Sequence, residues 1–197
     1  MKPKNAIHDY DSNLNQVLEN IKNSSMSKRN KDLITDFDRV NFMEGKSKAR
    51  RLRVAGFLKT LALKYVKKDL DKVTIVDMKD IICDMSNQGY TAETMGTYKS
   101  IIKKFYKWSE YGDDYLDETN YPKLVSWLKT HVSKKDKRNI KASELLTEDD
   151  ILSMIQAAEH PRDKAFISLL YELGCRISEI GNLVVGDFTK NKEGGFV

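Results

Sequence analysis

The sequence predicts a mainly α-helical chain, on three observations. Glycine and proline are few, 10 and 3 in 197 residues, charged residues make up 32%, and apolar residues recur at three- and four-residue steps along most of the length. That composition argues against a barrel, a sandwich or a long disordered tract. The length allows one large or two small domains, each able to bury a usable core.

Residues 1–28 are polar apart from the short amphipathic patch Leu14, Val17, Leu18 and Ile21, and read as a mobile N-terminal arm with one helical piece. Over Arg29 to Glu44, Leu33, Ile34, Phe37, Val40 and Met43 fall at helical spacing, and Gly45 stops the run. A second helix opens with Ser47 as N-cap and runs to about Lys68, its stripe formed by Val54, Leu58, Leu61, Ala62 and Tyr65. A third begins after Asp77, turns Met78, Ile81, Ile82 and Met85 inward, and ends before Gly89. The fourth is capped by Thr91 and carries Thr94, Tyr98, Ile101, Ile102 and Phe105 on one face up to about Trp108. Four such helices make a small bundle. Pro122 suits the first position of a fifth helix bearing Leu124, Val125, Trp127 and Leu128.

SKKDKRNIKASE then lacks an apolar period and reads as a basic linker, so residues 29–132 are expected as a helical domain, 133–146 as the linker and 147–197 as the start of a second domain. Thr147 and Asp150 form a box-like helix start, with Asp in place of the usual Glu. A helix from about Arg162 to Leu173 follows, and after Asp187 the turn-rich NKEGG points to a β-hairpin.

Cys83 and Cys175 lie far apart without a CxxC spacing, and His8, His131 and His160 are scattered, so no disulfide framework, metal site or cofactor is expected. MKPKNAIHDYDSN has no apolar signal-peptide core and no run approaches the ~20 residues of a membrane span, which leads to the expectation of a cytoplasmic protein with no membrane partner. The net charge of +5 hides an asymmetry. From Thr147 onward there are five basic residues against nine acidic, a net of −4, which leaves +9 to the preceding residues. A basic first part is expected to meet a polyanion, although a lysine-rich helical surface can equally be a solvated face.

Arg176 is the most informative residue. It stands where one helix has ended at Gly174 and another opens, at the positive end of the new macrodipole, where a cation is disfavoured unless an anion joins it. Glu179, three residues on, is one candidate for that anion, and an external phosphate is the other.

YELGCRISEIGNLVVGDF, a helix ending in glycine followed by C-R-I-S-E-I and then N-L-x-x-x-D, resembles the first arginine box of the tyrosine recombinases, the phage-integrase family. LLTEDDILSMIQAAEHPRDKAFISLLYELG is similar to the opening of that family's catalytic domain, and GYTAETMGTYKSIIKKFYKWSE to the last long helix of its core-binding domain, with FYKW and YPKLVSWL most like archaeal members. The resemblance covers most of the chain after about residue 30. It implies a SAM-like helical core-binding bundle, the basic linker and the truncated start of an α+β catalytic domain.

By the same resemblance the activity is site-specific DNA breakage and rejoining through a 3′-phosphotyrosine. Arg176 matches the first phosphate-binding arginine and Glu179 a supporting acid. Every tyrosine precedes Arg176, the last being Tyr171, whereas the family's nucleophile follows its arginines. The chain is therefore expected to be an N-terminal fragment, inactive alone, whose full-length form associates with itself on double-stranded DNA.

The DNA contacts are expected from Lys46, Lys48, Arg50, Arg51 and Arg53 at the head of the second helix; from Lys99, Lys103, Lys104 and Lys107 on the fourth; and from Lys134, Lys135, Lys137 and Arg138 in the linker. Trp108 and Trp127 read as core rather than base-stacking residues, and Cys175 as a small packing residue. Two other readings stay open: a non-catalytic DNA-binding protein derived from an integrase, and a helical module whose basic faces bind an acidic protein.

Overall fold

The computed structural model describes residues 9–133, 141–191 and 194–196. They are mainly helical. The β structure among them is one antiparallel hairpin, β1 (Thr189–Asn191) with β2 (Gly194–Phe196), in which Lys190 stands opposite Gly195. The chain divides into two compact units, Tyr10–Arg138 and a second that contains Asn139–Val197.

The first unit opens with α1 (Tyr10–Lys22), and here the structure corrects the expectation of a mobile arm. Leu14, Val17, Leu18 and Ile21 lie on one face of the helix. Leu14 and Ile21 are buried, and α1 packs on α3 (Lys48–Thr60). Four apolar residues in two turns are little sequence signal, but they suffice once a neighbouring helix offers a matching face.

α2 (Lys28–Met43) is started by Ser27, whose hydroxyl accepts from the Asn30 N–H and donates to Asp69. Asn30, only 4% exposed, then joins distant chain: its side-chain amide donates to the Lys68 carbonyl (3.2 Å) and its oxygen accepts from the Leu70 N–H (2.7 Å). Arg29 pairs with Asp71 at 2.7 Å beside it. The loop after α3 is thus fastened to the start of α2.

α3 is shorter than expected. Regular helix stops at Thr60 and a π-helical turn, Leu61–Tyr65, brings the chain to extended Val66, so the predicted run to Lys68 is broken. α4 (Ile75–Ser86) begins earlier than expected because Thr74 and Asp77 form a reciprocal capping box. Lys68 also donates to Asp77, and with the Thr74 N–H it holds that carboxyl down at about 2.

α5 (Ala92–Tyr111) runs through the core. Its Phe105 meets Phe37 of α2 edge-on at 5.4 Å, with Trp108 tilted against the same Phe37 at 5.2 Å, and its Tyr98 stacks on Phe57 of α3 at 4.2 Å. Gly96 lets the chain come close, since a Cβ there would lie 3.0 Å from the Thr130 carbonyl. The fifth helix is a single turn, α6 (Lys123–Ser126), with Pro122 at its N-cap. Val125 and Leu128 are buried, but Trp127 is 39% exposed and donates to the Leu124 carbonyl, which corrects its reading as core.

The second unit contains α7 (Glu148–Ala157), α8 (Pro161–Leu173) and α9 (Ile177–Gly181) before the hairpin. Local signals shape it: the Thr147–Asp150 capping box, Pro161 in the first turn of α8, and Gly174 in the left-handed region at φ 57° to end that helix. Burial is slight. Among its described residues only Ile151 and Ile180 are buried apolar side chains, whereas Leu145, Leu146, Ile177, Val184 and Val185 are exposed.

Replacing Asn30 by leucine should strand the buried Leu70 N–H and remove the donor to the part-buried Lys68 carbonyl. A loss of about 2–4 kcal/mol in urea unfolding is expected; a change within experimental error would show that the loop is held by other contacts.

Candidate nucleic-acid interface

The basic cluster at the head of α3 is set by the turn before it. The Gly45 N–H donates to the Phe42 carbonyl, the Lys46 N–H to the Asn41 carbonyl, and Gly45 takes φ 70°, a conformation that suits glycine. Ser47 then caps α3 by accepting from the Arg50 N–H. The first turn of α3 has no acidic residue of its own, so its basic side chains stand at the wrong end of the helix dipole.

The structure gives these cations different tasks. Arg51 grips Asp38 with two parallel bonds of 2.9 and 2.5 Å, the two side chains being 14% and 8% exposed, and its guanidinium lies 5.0 Å from the centre of the Phe42 ring. Hydrogen bonding to Asp38 raises the Arg51 pKa above its ordinary value. Lys48 pairs with Asp11 of α1, and Lys46 stands 3.5 Å from Glu44. Arg50 and Arg53 are exposed and make no ion pair with a described residue.

Three of the four lysines of α5 are also engaged. Lys104 donates to Glu44 (2.6 Å) and to the Asn41 side-chain oxygen (3.2 Å). Lys103 donates to the Leu128 carbonyl and sits 4.1 Å over the Tyr121 ring, and Lys107 donates to the Glu118 carbonyl. Lys99 is half-buried. The four-residue lysine stripe seen in the sequence therefore folds largely onto the protein's own acceptors. Lys46, Arg50 and Lys104 do converge, around a cavity of about 310 Å³ floored by Phe37, Val54 and Ile101. Lys134, Lys135, Lys137 and Arg138 lie outside the described residues.

In the second unit Arg176 occupies the N-cap of α9. Glu179 accepts from the Arg176 backbone N–H (2.6 Å) with one oxygen and from its guanidinium (2.9 Å) with the other. Of the two anions the sequence left open, the structure contains the internal one. The arginine side chain is 84% exposed, and its two remaining guanidinium nitrogens donate to no described residue. The Arg176 N–H, and after it the guanidinium, hold the Glu179 carboxyl below the usual range. Cys175 is half-exposed.

No family model matches the chain, and no solved structure matches it. It is 25% identical over 166 residues to "Tyrosine recombinase XerA" of Pyrococcus horikoshii, an alignment of 83% of this chain and 50% of that protein. It is 27% identical over 139 residues to "Tyrosine recombinase" of Thermosipho africanus, covering 64% of this chain and 44% of that protein. The chain is similar in sequence to these two tyrosine recombinases. It spans about half the length of these relatives.

The sequence could not distinguish the engaged cations from the unengaged ones. Asp38 and Glu44 carry no local sign of their partners, Arg51 being 13 residues from Asp38 and Lys104 60 residues from Glu44. No described helix is long and apolar enough to cross a membrane.

Arg51→Ala should cost about 3 kcal/mol in chemical unfolding, because Asp38 would remain buried and unpaired, whereas Arg50→Ala should stay within about 0.5 kcal/mol. Equal losses would show that the two arginines do the same work. The Glu179 carboxyl should titrate below its unfolded-state value by NMR. Its stabilising contribution is then present above the unfolded pKa and lost as pH falls through the folded one. Arg176→Ala should move that titration upward only part of the way, since the backbone N–H stays; a full return would assign the effect to the guanidinium alone.

Proposed function

We propose that this chain is the DNA-binding part and first catalytic arginine of a site-specific recombinase. The observation that carries the reading is the head of α3: Arg50 stands in the first turn, at the positive end of the helix, with Lys46 just before the N-cap and Arg53 one turn on, and Arg50 and Arg53 have no ion-pair partner among the described residues, in a chain similar to tyrosine recombinases. Phosphates of double-stranded DNA would complete that electrostatic arrangement. Arg51, held by Asp38, is proposed as the residue that orients α3 rather than one that meets DNA, and Lys103, Lys104 and Lys107 are left to internal roles.

The domain reading follows. The helical unit binds duplex, the basic stretch 133–146 tracks its backbone through Lys134, Lys135, Lys137 and Arg138, and the acidic second unit brings Arg176 to the scissile phosphate. Cleavage by a tyrosine hydroxyl builds negative charge on the non-bridging oxygens. Arginine suits that charge because it stays ionised and can hold two oxygens at once. The two guanidinium nitrogens that Glu179 does not use are the donors for this task, and Glu179 keeps the side chain oriented. The missing chemical groups, and self-association on DNA, belong to the whole recombinase of which this chain represents about half.

Fluorescence anisotropy with a labelled duplex over a series of salt concentrations tests the reading. Each phosphate neutralised contributes about −0.9 to the slope of log affinity on log salt, so Lys46, Arg50 and Arg53 changed together to alanine should flatten the slope by about 2.7. Arg176→Ala should leave binding nearly unchanged, because its task is proposed at the reacting phosphate. Salt-independent binding, or an unaltered slope in the triple variant, would refute the proposed interface.

A further inference from the structure

A cavity of about 440 Å³ in the helical unit is lined mainly by α3, the π turn that follows it and α5. That volume lies in the range of small-molecule sites. Four aromatic residues line it: Phe57, Tyr65, Tyr90 and Tyr98. Tyr98 stacks on Phe57 at 4.2 Å and meets Tyr90 edge-on at 5.3 Å, so this wall of rings is already assembled.

Three further observations fall on the same cavity. Gly56 lines it from the interior of α3, where a Cβ would meet nothing within 4 Å and the φ is not positive. Glycine weakens a helix interior, and here neither close packing nor backbone conformation requires it; its missing side chain leaves the cavity open. The Tyr65 hydroxyl is buried without a hydrogen-bond partner. Burial, and after it the neighbouring Tyr90 side chain, push its pKa up to about 12, so it stays a neutral donor. Arg53 is the one charged residue among the described residues lining the cavity, and it is exposed with no ion-pair partner among them.

We infer that this cavity binds a nucleotide whose base is unpaired, the base lying against the tyrosine rings and the phosphate on Arg53. The lining selects that ligand. A flat ring suits the aromatic wall, one anionic group suits the single cation, and a base edge carries acceptors for the Tyr65 hydroxyl. A base stacked and paired within a duplex offers neither its faces nor its edge, so the base must be free of its partner. An aliphatic acid would satisfy Arg53 but leave the rings empty. The nucleotide can come from solution or from a DNA strand; the second source rests on the DNA-binding reading, in which Arg53 already meets a phosphate.

The test compares, by anisotropy, a labelled duplex carrying one adenine opposite an abasic site with the same duplex fully paired. In parallel, free deoxyadenosine monophosphate and free deoxyribose phosphate are titrated by NMR. Wild type should bind the unpaired duplex about tenfold more tightly than the paired one, within the range that base–aromatic stacking gives. Gly56→Leu, which places a side chain in open space, should bring the two duplexes to equal affinity. Tyr65→Phe keeps the ring and removes only the hydroxyl; it should cut the preference about threefold, so the outcome does not depend on how Gly56→Leu folds. Equal affinity of wild type for the two duplexes, with no response to the free nucleotide, overturns the inference and leaves DNA binding intact. A preference that both variants retain, or deoxyribose phosphate binding as well as the nucleotide, also overturns it. Free-nucleotide binding that Gly56→Leu abolishes, without preference between the duplexes, supports the site and assigns its ligand to solution. Absence of binding to either duplex at low salt refutes the DNA-binding reading, and the free-nucleotide titration then decides the cavity by itself.

Discussion

The two-bond grip of Arg51 on Asp38 governs what the basic head of α3 offers to its surroundings. It joins the middle of α2 to the first turn of α3, so the corner between them cannot rotate without breaking two charge-assisted bonds at a largely buried site. Such a pair adds little net stability over an apolar replacement, because desolvation consumes much of its attraction. Its contribution is orientation. With Arg51 turned inward against Asp38 and Phe42, its neighbours Arg50 and Arg53 are left to the surface, and Phe42 is left with one face exposed.

A second constraint acts on the α5 lysines. Lys104 reaches Glu44 and Asn41, at and beside the end of α2, and so ties α5 to the same corner from below. Glu44 then stands near both Lys104 and Lys46, which tempers the positive potential there. Arg50 and Arg53 are not tempered in this way by any described residue. A helix terminus that carries such cations against its own dipole gains when an anion arrives, whereas an isolated surface lysine gains little. This difference, more than the number of basic residues, directs the functional reading to α3.

The two units are built on different balances. The first buries aromatic residues from three helices against one another and fixes its loops with buried polar groups such as Asn30. In the second, caps and a left-handed glycine define the elements while most large apolar side chains remain at the surface. Arg176 belongs to that second pattern. Its geometry comes from a local, three-residue hydrogen-bonded loop with Glu179, not from packing.

What was legible in the sequence was whatever depends on near neighbours. The 3.6-residue apolar period marks α2 and α5, the Thr147–Asp150 box marks α7, Gly174 and Arg176 mark the break between α8 and α9, and Glu179 lies within reach of Arg176 by spacing alone. Each of these is an interaction over at most four residues, which a linear pattern can display. The tertiary structure decided the rest. It made a core helix of Tyr10–Lys22, broke α3 at a π turn, turned Trp127 outward, and separated Arg51 and Lys104, bound to Asp38 and Glu44, from Arg50 and Arg53. Whether a cation is paired inside the protein or left for a ligand depends on acids far along the chain, and only folding brings those charges together.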